Sequence, residues 1–440
     1  MTTANERKHI QEEFKNRMNE DELLNCMRCG FCLPTCPTYI ESGYQESHSP
    51  RGRIALMKAV VDGVIEPDED VEHSLNLCLG CRACEPVCPS GVNYGHLLEE
   101  ARDIIHQNKK HSAPVKLARK VAFDGLFPHQ HRMRSLTNLL GLYQRSGLQK
   151  LTRKSGILNV LPDHLVSMEK VLPEVPRLKE LKSRPAFVPA TEHPKKKVAF
   201  FSGCLMDTVF MKTNDATLKL LQKAGCEIVI PQTQVCCGAL HGHSGEKSKA
   251  KELAKSNIEA FEAIQADYII TNAGGCGAFL IDYDHLLKDD PMWADRAAAF
   301  TNKLKDISSI LIDLEFHKQK LSLPSQVVTY QDSCHLRNVM KVSSQPRQLL
   351  QAIEGVTYEE MQQADSCCGS AGIYNIVESR MSMQILDSKM EKVKNTSSTT
   401  IVTSNPGCLL QMKLGIEREG LSHQMRAIHI VDLLVEALEN

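Results

Sequence analysis

Two cysteine runs near the N-terminus have the residue types and the spacing to hold metal clusters. Both read C-x2-C-x2-C-x3-C-P, with Cys26, Cys29, Cys32 and Cys36 in the first run and Cys78, Cys81, Cys84 and Cys88 in the second. This is the bacterial ferredoxin spacing, in which cysteine thiolates bind [4Fe-4S] clusters. Two such runs predict two [4Fe-4S] clusters.

The same spacing predicts how the eight thiolates are shared. Three cysteines at intervals of three can turn their sulfurs toward one cluster, whereas in two-cluster ferredoxins the fourth binds the other cluster. We therefore predict one cluster on Cys26, Cys29, Cys32 and Cys88, and a second on Cys78, Cys81, Cys84 and Cys36. Structural zinc also uses C-x2-C pairs, but it explains poorly why four cysteines recur twice at one spacing.

Helices are predicted around both runs. Residues 6–25 lead into the first run, an apolar-periodic stretch lies between Pro50 and Gly63, and residues 71–77 lead into the second run. Residues 94–108 form a closing helix. Together these segments predict an all-α, ferredoxin-like module over residues 1–108.

The composition bounds the class of protein. The 440 residues allow two to four domains, and 42% apolar with 24% charged residues is typical of a soluble protein. A net charge of −1 gives no overall attraction to nucleic acid. Residues 1–17 lack the apolar segment of a secretory signal, and seventeen cysteines without export predict a reducing cytoplasm. No apolar stretch is long enough to span a bilayer, so any membrane contact is expected to be peripheral.

Residues 109–196 predict a basic linker with short helices. From residue 109 to residue 197 there are nineteen Lys and Arg against six Asp and Glu, with apolar residues interleaved and prolines breaking the pattern. Two interpretations stay open. The helices either pack on neighbouring domains, or form a basic amphipathic surface that docks on anionic lipid or an acidic partner subunit.

The second half of the chain contains an internal repeat of cysteines. Cys204, Cys236, Cys237 and Cys276 recur as Cys334, Cys367, Cys368 and Cys408. The intervals are 32 and 39 residues in the first copy and 33 and 40 in the second. In both copies a glycine follows the adjacent cysteine pair, so the repeat predicts two domains, over residues 197–324 and 325–440.

Strands and helices alternate within each copy. Short β-rich segments at residues 197–201, 267–272, 326–330 and 400–405 precede cysteines, and helical patterns lie between them. This alternation predicts βαβ units with a parallel sheet, and places the cysteines at the carboxyl ends of strands. The predicted fold class is therefore α/β, with an N-terminal all-α ferredoxin-like module and two tandem βαβ-type cysteine-rich repeats.

Four thiolates in each copy suggest a site for an iron-sulfur cluster or zinc, although buried structural thiols would also fit. Cys226 has no counterpart and is expected in the core. Neighbouring histidines, His241, His243 and His335, could bind a metal or handle the protons of quinone reduction. No G-x-G-x-x-G or P-loop pattern supports a nucleotide or flavin bound by this chain.

The Cys-Cys-Gly segments resemble the duplicated cysteine-rich domain of heterodisulfide reductase. Following a double ferredoxin module, their order is similar to that of the iron-sulfur subunit of bacterial glycolate oxidase. This resemblance implies an FAD-containing subunit that oxidises a 2-hydroxy acid, with electrons passing through this chain toward a quinone or another acceptor. The heterodisulfide reductase motif ends in C-x-x-C, whereas this chain has Phe279 and Gln411 three residues beyond Cys276 and Cys408, which argues against disulfide reduction.

The resulting hypothesis is an electron-transfer subunit of a glycolate oxidase complex, inactive toward the acid by itself. The same module order also resembles iron-sulfur subunits of anaerobic glycerol-3-phosphate dehydrogenase and lactate-utilisation proteins. A hypothesis of another class is a scaffold whose repeats are stabilised by zinc and recruit partners.

Overall fold

The computed structural model describes residues 4–160, 163–191 and 193–440. It is a mixed α/β protein with two sheets whose strands are mainly parallel, which confirms the predicted class at that level. Every described element before residue 187 is helical, and both sheets lie in the second half of the chain.

Six α-helices surround the two cysteine runs, together with a 3-10 turn at Glu46–His48. They are α1 (Ala4–Arg17), α2 (Glu20–Leu24), α3 (Pro37–Glu41), α4 (Pro50–Val61), α5 (Glu69–Asn76) and α6 (Tyr94–Asn108). The helix predicted over residues 6–25 is divided in two, because the side chain of Asn19 caps α2 by accepting a hydrogen bond from the Glu22 N–H at 3.1 Å. Buried residues including Phe14, Met57 and Leu98 form one core beneath both runs.

Short helices follow in the basic region. They are α7 (Ala113–Arg119), a π-helical segment (Lys120–Leu126), α8 (Gln130–Arg145), α9 (Leu148–Ser155), a 3-10 turn (Ile157–Val160), α10 (Asp163–Lys170) and α11 (Leu178–Lys182). Residues 161, 162 and 192 of the predicted linker, and residues 1–3, lie outside the described residues. In the described part of the chain, no helix has the length and apolar character needed to cross a membrane.

The first sheet has five strands in the order β1-β3-β2-β4-β5, and only the β1–β3 pair is antiparallel. Its strands are β1 (Phe187–Val188), β2 (Lys196–Phe200), β3 (Cys226–Val229), β4 (Tyr268–Thr271) and β5 (Leu304–Asp306). The connecting helices are α12 (Met211–Lys223), α13 (Ala239–His243), α14 (Lys247–Glu262), α15 (Gly274–Ile281), α16 (Tyr283–Leu287), α17 (Ala294–Thr301) and α18 (Ile307–Asp313).

The second sheet has four parallel strands in the order β7-β6-β8-β9. Its strands, which follow a 3-10 turn at Phe316–Lys318, are β6 (Ser322–Gln331), β7 (Glu354–Tyr358), β8 (Thr400–Thr403) and β9 (Arg426–His429). The helices are α19 (Cys334–Asn338), α20 (Ser344–Gln351), α21 (Tyr374–Val377), α22 (Ser379–Lys394), α23 (Pro406–Arg418) and α24 (Ile430–Glu439). The sequence does not predict β1, β5, β7 or β9: β1 and β5 have only two and three residues, and β7 and β9 carry few apolar residues.

One hydrophobic core joins the two sheets. It contains Phe200 and Ile228 from the first sheet, Tyr330 and Val402 from the second, and Leu434 of α24. Four cysteines of the second half follow the carboxyl ends of central strands, as the alternation predicted: Cys204 after β2, Cys276 after β4, Cys334 after β6 and Cys408 after β8. Shared packing therefore fixes the two cysteine-bearing edges relative to each other.

Candidate metal centres

The first cysteine run borders a surface cavity. Four of the lining residues are Cys26, Cys29, Cys32 and Cys88, the set predicted for the first cluster, and Cys84 also contributes. Cys29 is exposed, and the other three of the predicted set are half-buried. Burial raises the pKa of the Cys32 thiol. We name these four residues the first site.

The second predicted set, Cys36, Cys78, Cys81 and Cys84, lies deeper. Three of these residues are buried and Cys81 is half-buried. Burial, followed by the negative charges of Cys81, Cys78 and Cys36, raises the pKa of Cys84 well above its ordinary value. The four thiols are therefore close enough to interact, and we name them the second site.

Both runs use the same local backbone. The second residue after the first cysteine and the second before the third have positive φ: Arg28 (56°) and Gly30 (88°) in the first run, Gly80 (66°) and Arg82 (58°) in the second. Glycine adopts this conformation without strain, whereas arginine does not. At Gly30 a β-carbon would also lie 2.9 Å from the Arg51 Nη1. The repeated conformation thus turns both runs in the same way, at a cost in strain.

A buried arginine lies beside the second site. The side chain of Arg53 is 0% exposed, and it donates to the Ser74 carbonyl oxygen at 2.6 Å and to Thr38 Oγ1 at 3.0 Å. Its Nη1 has no hydrogen-bond partner among the described residues. Although burial lowers its pKa, the charges of Cys78, Tyr94 and Cys36 raise it, so its neighbours are thiols and a phenol and not carboxylates.

This arrangement fits an anionic group held by thiolates. A buried cation without an anion is costly, and cysteine thiolates carrying a cluster would supply the missing charge. Burial alone would raise the pKa of Cys78, but the charges of Arg53 and Arg102 outweigh it and lower that pKa, which favours the thiolate. The residues present therefore fit an iron-sulfur cluster at the second site.

The cysteines of the first repeat come together at the end of the first sheet. The sulfurs of Cys204 and Cys236 are 3.7 Å apart, and Cys237 interacts with both Cys236 and Cys276. Gly238, with φ of 87°, lets the chain turn from the cysteine pair into α13. The hydroxyl of Tyr283 donates to the Cys237 carbonyl oxygen at 2.7 Å, which fixes the loop.

The second repeat has the same arrangement of thiols. Cys334 interacts with Cys367, and Cys368 interacts with Cys367 and Cys408. The hydrogen bond with Cys367 and then burial raise the pKa of Cys334 well above its ordinary value. Across the part of the chain that the structure describes, no three His, Cys, Asp or Glu side chains are grouped as ligands of one metal ion.

The second site lies directly against the second repeat. The Tyr374 hydroxyl donates to the Leu77 carbonyl oxygen at 2.9 Å, and the Asn338 amide donates to the Cys81 carbonyl oxygen at 2.9 Å. The charge of Cys334 is among the causes that raise the pKa of Cys81, after burial. These contacts join residues more than 250 positions apart, and no local pattern in the sequence predicts them.

The histidines near the cysteines take part in contacts between segments. His335 Nε2 donates to the Gly80 carbonyl oxygen at 2.9 Å, and His241 Nε2 donates to the Phe123 carbonyl oxygen at 2.9 Å. His243 Nδ1 donates to Glu99 Oε1 at 2.7 Å. Within the described residues, no hydrogen bond joins these three rings to a cysteine sulfur.

Phe279 and Gln411 stand where the heterodisulfide reductase motif has its last cysteine. The ring of Phe279 lies against the Cys-Cys-Gly loop, 3.2 Å from where a β-carbon on Gly238 would stand. Gln411 is buried and donates to Ser382 Oγ at 3.1 Å. Cys226 lies in β3 within the core, as expected, and burial raises its pKa to about 11.

Comparison with family models covers most of the chain. A model described as "4Fe-4S dicluster domain" matches residues 22–92, and one described as "Cysteine-rich domain" matches residues 198–281 and 328–413. Residues 114–172 match the model "Glycolate oxidase iron-sulfur subunit, linker region". Much of the basic linker therefore matches a segment described for glycolate oxidase iron-sulfur subunits.

Curated relatives agree with these matches. The chain is 72% identical over 438 residues to the "Probable glycolate oxidase iron-sulfur subunit" of Bacillus subtilis, covering 99% of each chain. It is 31% identical to the "Glycolate oxidase iron-sulfur subunit" of Escherichia coli, covering 89% of this chain and 90% of that one. "Lactate utilization protein A" of Exiguobacterium is 31% identical over 55% of this chain and 98% of its own length.

A solved structure shares the fold. The "Crystal structure of a hypothetical protein from Helicobacter pylori" aligns with 99% of this chain and 77% of that one, at a TM-score of 0.51 and 10% identity.

Proposed function

The chain belongs to the family of glycolate oxidase iron-sulfur subunits, and we propose that it is the electron-transfer subunit of a complex that oxidises glycolate to glyoxylate. The observation that carries this proposal is that the eight N-terminal cysteines lie in two neighbouring groups, with the buried cation of Arg53 beside the second group. Iron-sulfur clusters at these sites would supply transfer of single electrons. The residues of the chain would hold them and set their surroundings.

The ligands we propose are those that the spacing predicts. Cys26, Cys29, Cys32 and Cys88 would hold the first [4Fe-4S] cluster, since all four line one cavity. Cys78, Cys81, Cys84 and Cys36 would hold the second, since, after burial, the charges of Cys78 and Cys36 are among the causes that raise the pKa values of Cys81 and Cys84. The residues that hold both would form an all-α ferredoxin-like domain over residues 1–108.

We further propose a metal centre in each cysteine-rich repeat, in domains over residues 197–324 and 325–440, separated from the ferredoxin-like domain by the linker of residues 109–196. Their ligands would be Cys204, Cys236, Cys237 and Cys276 in the first, and Cys334, Cys367, Cys368 and Cys408 in the second. The occupant is an iron-sulfur cluster or zinc: the 3.7 Å between the Cys204 and Cys236 sulfurs is close to the edge of a tetrahedral site with Zn–S near 2.3 Å, about 3.8 Å.

The partner we propose is an FAD-containing 2-hydroxy-acid dehydrogenase subunit that docks over the first site. Cys29 is exposed there, and Leu24, Met27 and Phe31 around it are 62%, 66% and 66% exposed. Exposed apolar side chains of this size mark interaction surfaces when they cluster. The second site is covered by the second repeat, so a donor reaches the first site more readily.

Glycolate is favoured as the acid that the complex oxidises. The two relatives that cover most of the chain are named for glycolate oxidase, whereas the lactate-utilisation relative aligns with 55% of it. The final acceptor we propose is a quinone.

We propose that the linker makes a peripheral contact with an anionic membrane. Its exposed apolar side chains include Leu139 (61%) and Leu151 (62%), and Lys150 and Lys154 are exposed on the same helix as Leu151. Apolar residues interleaved with lysine are the pattern by which helices bind the surface of anionic lipid.

The function is tested by mixing the purified chain with its catalytic subunit without oxygen. We expect the flavin-free chain alone not to oxidise glycolate with an artificial acceptor, because its sequence has no G-x-G-x-x-G or P-loop pattern that would hold a flavin. With the catalytic subunit and glycolate, the visible absorbance of its clusters should bleach. Glycolate oxidation by the chain alone, or no bleaching in the mixture, would contradict the proposal.

The docking surface is tested in the same mixture. Phe31→Ser should slow the bleaching about tenfold or more, since a buried aromatic anchor is worth about 2 kcal/mol at an interface. Val64→Ser is the matched control, because Val64 is 75% exposed but follows the far end of α4 from the first site. Equal rates for the two variants would place the docking surface elsewhere.

A further inference from the structure

Lys389 of α22 is a lysine buried within the second repeat. It is 1% exposed, and its Nζ donates to the Gln363 carbonyl oxygen at 2.7 Å. The same carbonyl oxygen accepts from the Ser366 N–H at 2.9 Å, so Lys389 holds the turn that leads directly into Cys367 and Cys368. A buried ammonium is costly unless an anion compensates its charge. The anion that Lys389 needs therefore has to lie within the fold.

The negative charges that act on this ammonium come mainly from the thiols of the second repeat. Burial and then the charge of Lys392 lower the pKa of Lys389 to about 8. Cys368 and then Cys367 are the largest of the causes that raise this pKa, followed by Asp365. The Asp365 side chain is 51% exposed, so solvent screens its charge. Thiolates that carry a metal centre would supply the negative charge that Lys389 needs.

The first repeat has a neutral residue at the corresponding position. Both α14 and α22 have sixteen residues and follow the Cys-Cys-Gly segment of their repeat, and Asn257 and Lys389 are the eleventh residue of each. Asn257 is 0% exposed. Its Oδ1 accepts from the Val235 N–H at 2.9 Å, and its Nδ2 donates to the Cys236 carbonyl oxygen at 3.0 Å. Both residues thus hold the segment before the adjacent cysteines, but only the second repeat does so with a charged group.

This difference between the repeats concerns the electron and not the thiolates alone. Zinc and an oxidised [4Fe-4S] cluster have the same net negative charge when four thiolates hold them, but only the cluster can take up an electron. The first repeat holds its four thiols without a lysine at this position, so the thiolates by themselves do not explain Lys389. An additional electron at the second repeat does, because a buried positive charge stabilises the more negative, reduced state.

The second repeat is also the repeat that meets the second site. Thiols of both share one apolar cluster: Cys81, Cys334 and Cys367. Met381 and Ile385 of α22 belong to the same cluster, and Lys389 follows Ile385 by one helical turn on the same face. Among the described residues, no cysteine of the first repeat belongs to this cluster. The second repeat is therefore the nearer acceptor for an electron that leaves the second site.

We propose that Lys389 makes the second repeat the electron acceptor of the second site, by raising the reduction potential of an iron-sulfur centre in that repeat above that of the first repeat. This inference rests on the electron-transfer function proposed above. The step is a transfer of one electron: the cluster of the second site is oxidised, the centre of the second repeat is reduced, no proton moves, and no bond forms or breaks. The two repeats, which have the same four thiols, thus differ in function.

The test is a redox titration of the full chain, purified without oxygen and followed by electron paramagnetic resonance. The signal of the second repeat is the one that Cys408→Ser removes, and that of the first repeat is the one that Cys276→Ser removes. Lys389→Gln keeps a donor for the Gln363 carbonyl oxygen but removes the charge. At a fixed potential it should lower the ratio of reduced to oxidised second-repeat centre about tenfold, which is a shift of about 59 mV to lower potential for one electron.

Two further variants separate the charge from the structure. Lys389→Arg keeps the charge and should stay close to the wild-type potential. Lys392→Met removes a lysine from the same helix, but Lys392 is half-buried and solvent screens its charge, so this variant should shift the potential less than Lys389→Gln does. Iron and acid-labile sulfide per chain should be unchanged in all three variants. If Lys389→Gln loses iron, Lys389→Met, which keeps the apolar volume, takes its place in the titration.

The possible results separate this proposal from the function on which it rests. Zinc in place of iron in the second repeat would overturn the proposal, and so would a second-repeat potential below that of the first repeat. No shift in Lys389→Gln, or a shift equal to that of Lys392→Met, would also overturn it. A first repeat without a redox signal would support it. The electron-transfer function is tested independently, because N-terminal clusters that fail to bleach with glycolate and the catalytic subunit would contradict that function instead.

Discussion

At the scale of single residues, Arg53 brings a positive charge into the centre of the N-terminal helices. Its partners are a backbone carbonyl, a threonine hydroxyl and the charges of two cysteines of the second site. Such a charge stabilises the more negative, reduced form of a cluster and so raises its reduction potential. The sequence showed Arg53 only as part of a helix start, because its partners come from three separate segments.

Replacing this arginine should therefore lower one reduction potential selectively. We expect Arg53→Gln to lower the potential of the second cluster by about 60 mV or more, since a charged hydrogen bond is worth about 1.5–3 kcal/mol and 59 mV corresponds to a tenfold change for one electron. The measurement is a redox titration followed by electron paramagnetic resonance.

Arg51→Gln provides the control for this titration. Arg51 is paired with Glu46 at 2.6 Å and its side chain is 29% exposed, so solvent screens its charge. We expect Arg51→Gln to shift the reduction potential of the second cluster less than Arg53→Gln does. Equal shifts for both variants, or none at Arg53, would show that the buried charge does not act on the second site.

The cysteines themselves were predictable, because their chemistry depends on residue type and local spacing. Their backbone was only half predictable. Glycine marked one position with positive φ in each run, but the other is held by Arg28 or Arg82. Arg82 is held there by a local ion pair with Glu85 and by a bond to Asp282, and the second of these is a tertiary contact.

At the scale of elements, His429 joins the two sheets at the start of α24. Its Nε2 donates to the Asn272 carbonyl oxygen at 3.0 Å, beyond the end of β4, and its Nδ1 accepts from the Val431 N–H at 3.4 Å. The bond that Nδ1 accepts requires the neutral ring, because a protonated Nδ1 can only donate. Burial lowers the pKa of His429 to about 4.

This junction should make stability depend on pH in a defined direction. An unfolded histidine has a pKa of about 6.5, so between about pH 6.5 and 4 the unfolded chain binds a proton that the folded chain does not. The stabilisation from neutral His429 is therefore complete above that window and is lost as the pH falls, by up to ~1.4 kcal/mol per pH unit.

Comparison with His429→Gln isolates this effect. The difference in free energy of unfolding between the two proteins, from urea denaturation of the loaded proteins, should shrink between pH 7 and pH 5. Asp306 and Asp432, whose pKa values burial raises to about 6, act in the opposite direction but are present in both proteins. A difference that stays constant with pH would contradict this role.

The linker helices carry a prediction of their own. The wild-type chain should sediment with vesicles that contain phosphatidylglycerol at low salt, and should be released as salt rises well above physiological strength. The double variant Leu139→Ser with Leu151→Ser should bind at least about tenfold more weakly, since each buried leucine contributes about 1.5–3 kcal/mol.

The control is the pair Ile376→Ser with Val377→Ser. These residues are 53% and 66% exposed but lie in the second repeat, away from the linker. If the two double variants bind vesicles equally well, the leucines of the linker do not bind the membrane. Salt-sensitive binding to the catalytic subunit alone would assign the basic surface to that partner.

At the scale of the whole molecule, the two halves of the chain form one connected structure. The second site meets the second repeat through Tyr374 and Asn338. Arg82 and His96, from the N-terminal part of the chain, both bind the carboxylate of Asp282 in the first sheet domain. The order of modules and the α/β class were predictable, because they follow from local periodicity and a repeated cysteine spacing. Which module contacts which was not, since those contacts arise from packing between distant segments.

The measurement that tests the central claim most directly is the iron, acid-labile sulfide and zinc per chain in protein purified without oxygen. Two [4Fe-4S] clusters predict at least ~8 iron with equal sulfide, and Cys81→Ser should lower both by up to ~4. Iron well above ~8 would place further clusters in the repeats, whereas zinc near ~2 beside ~8 iron would make the repeats structural. Iron near zero with zinc on the ferredoxin-type cysteines would contradict the electron-transfer function.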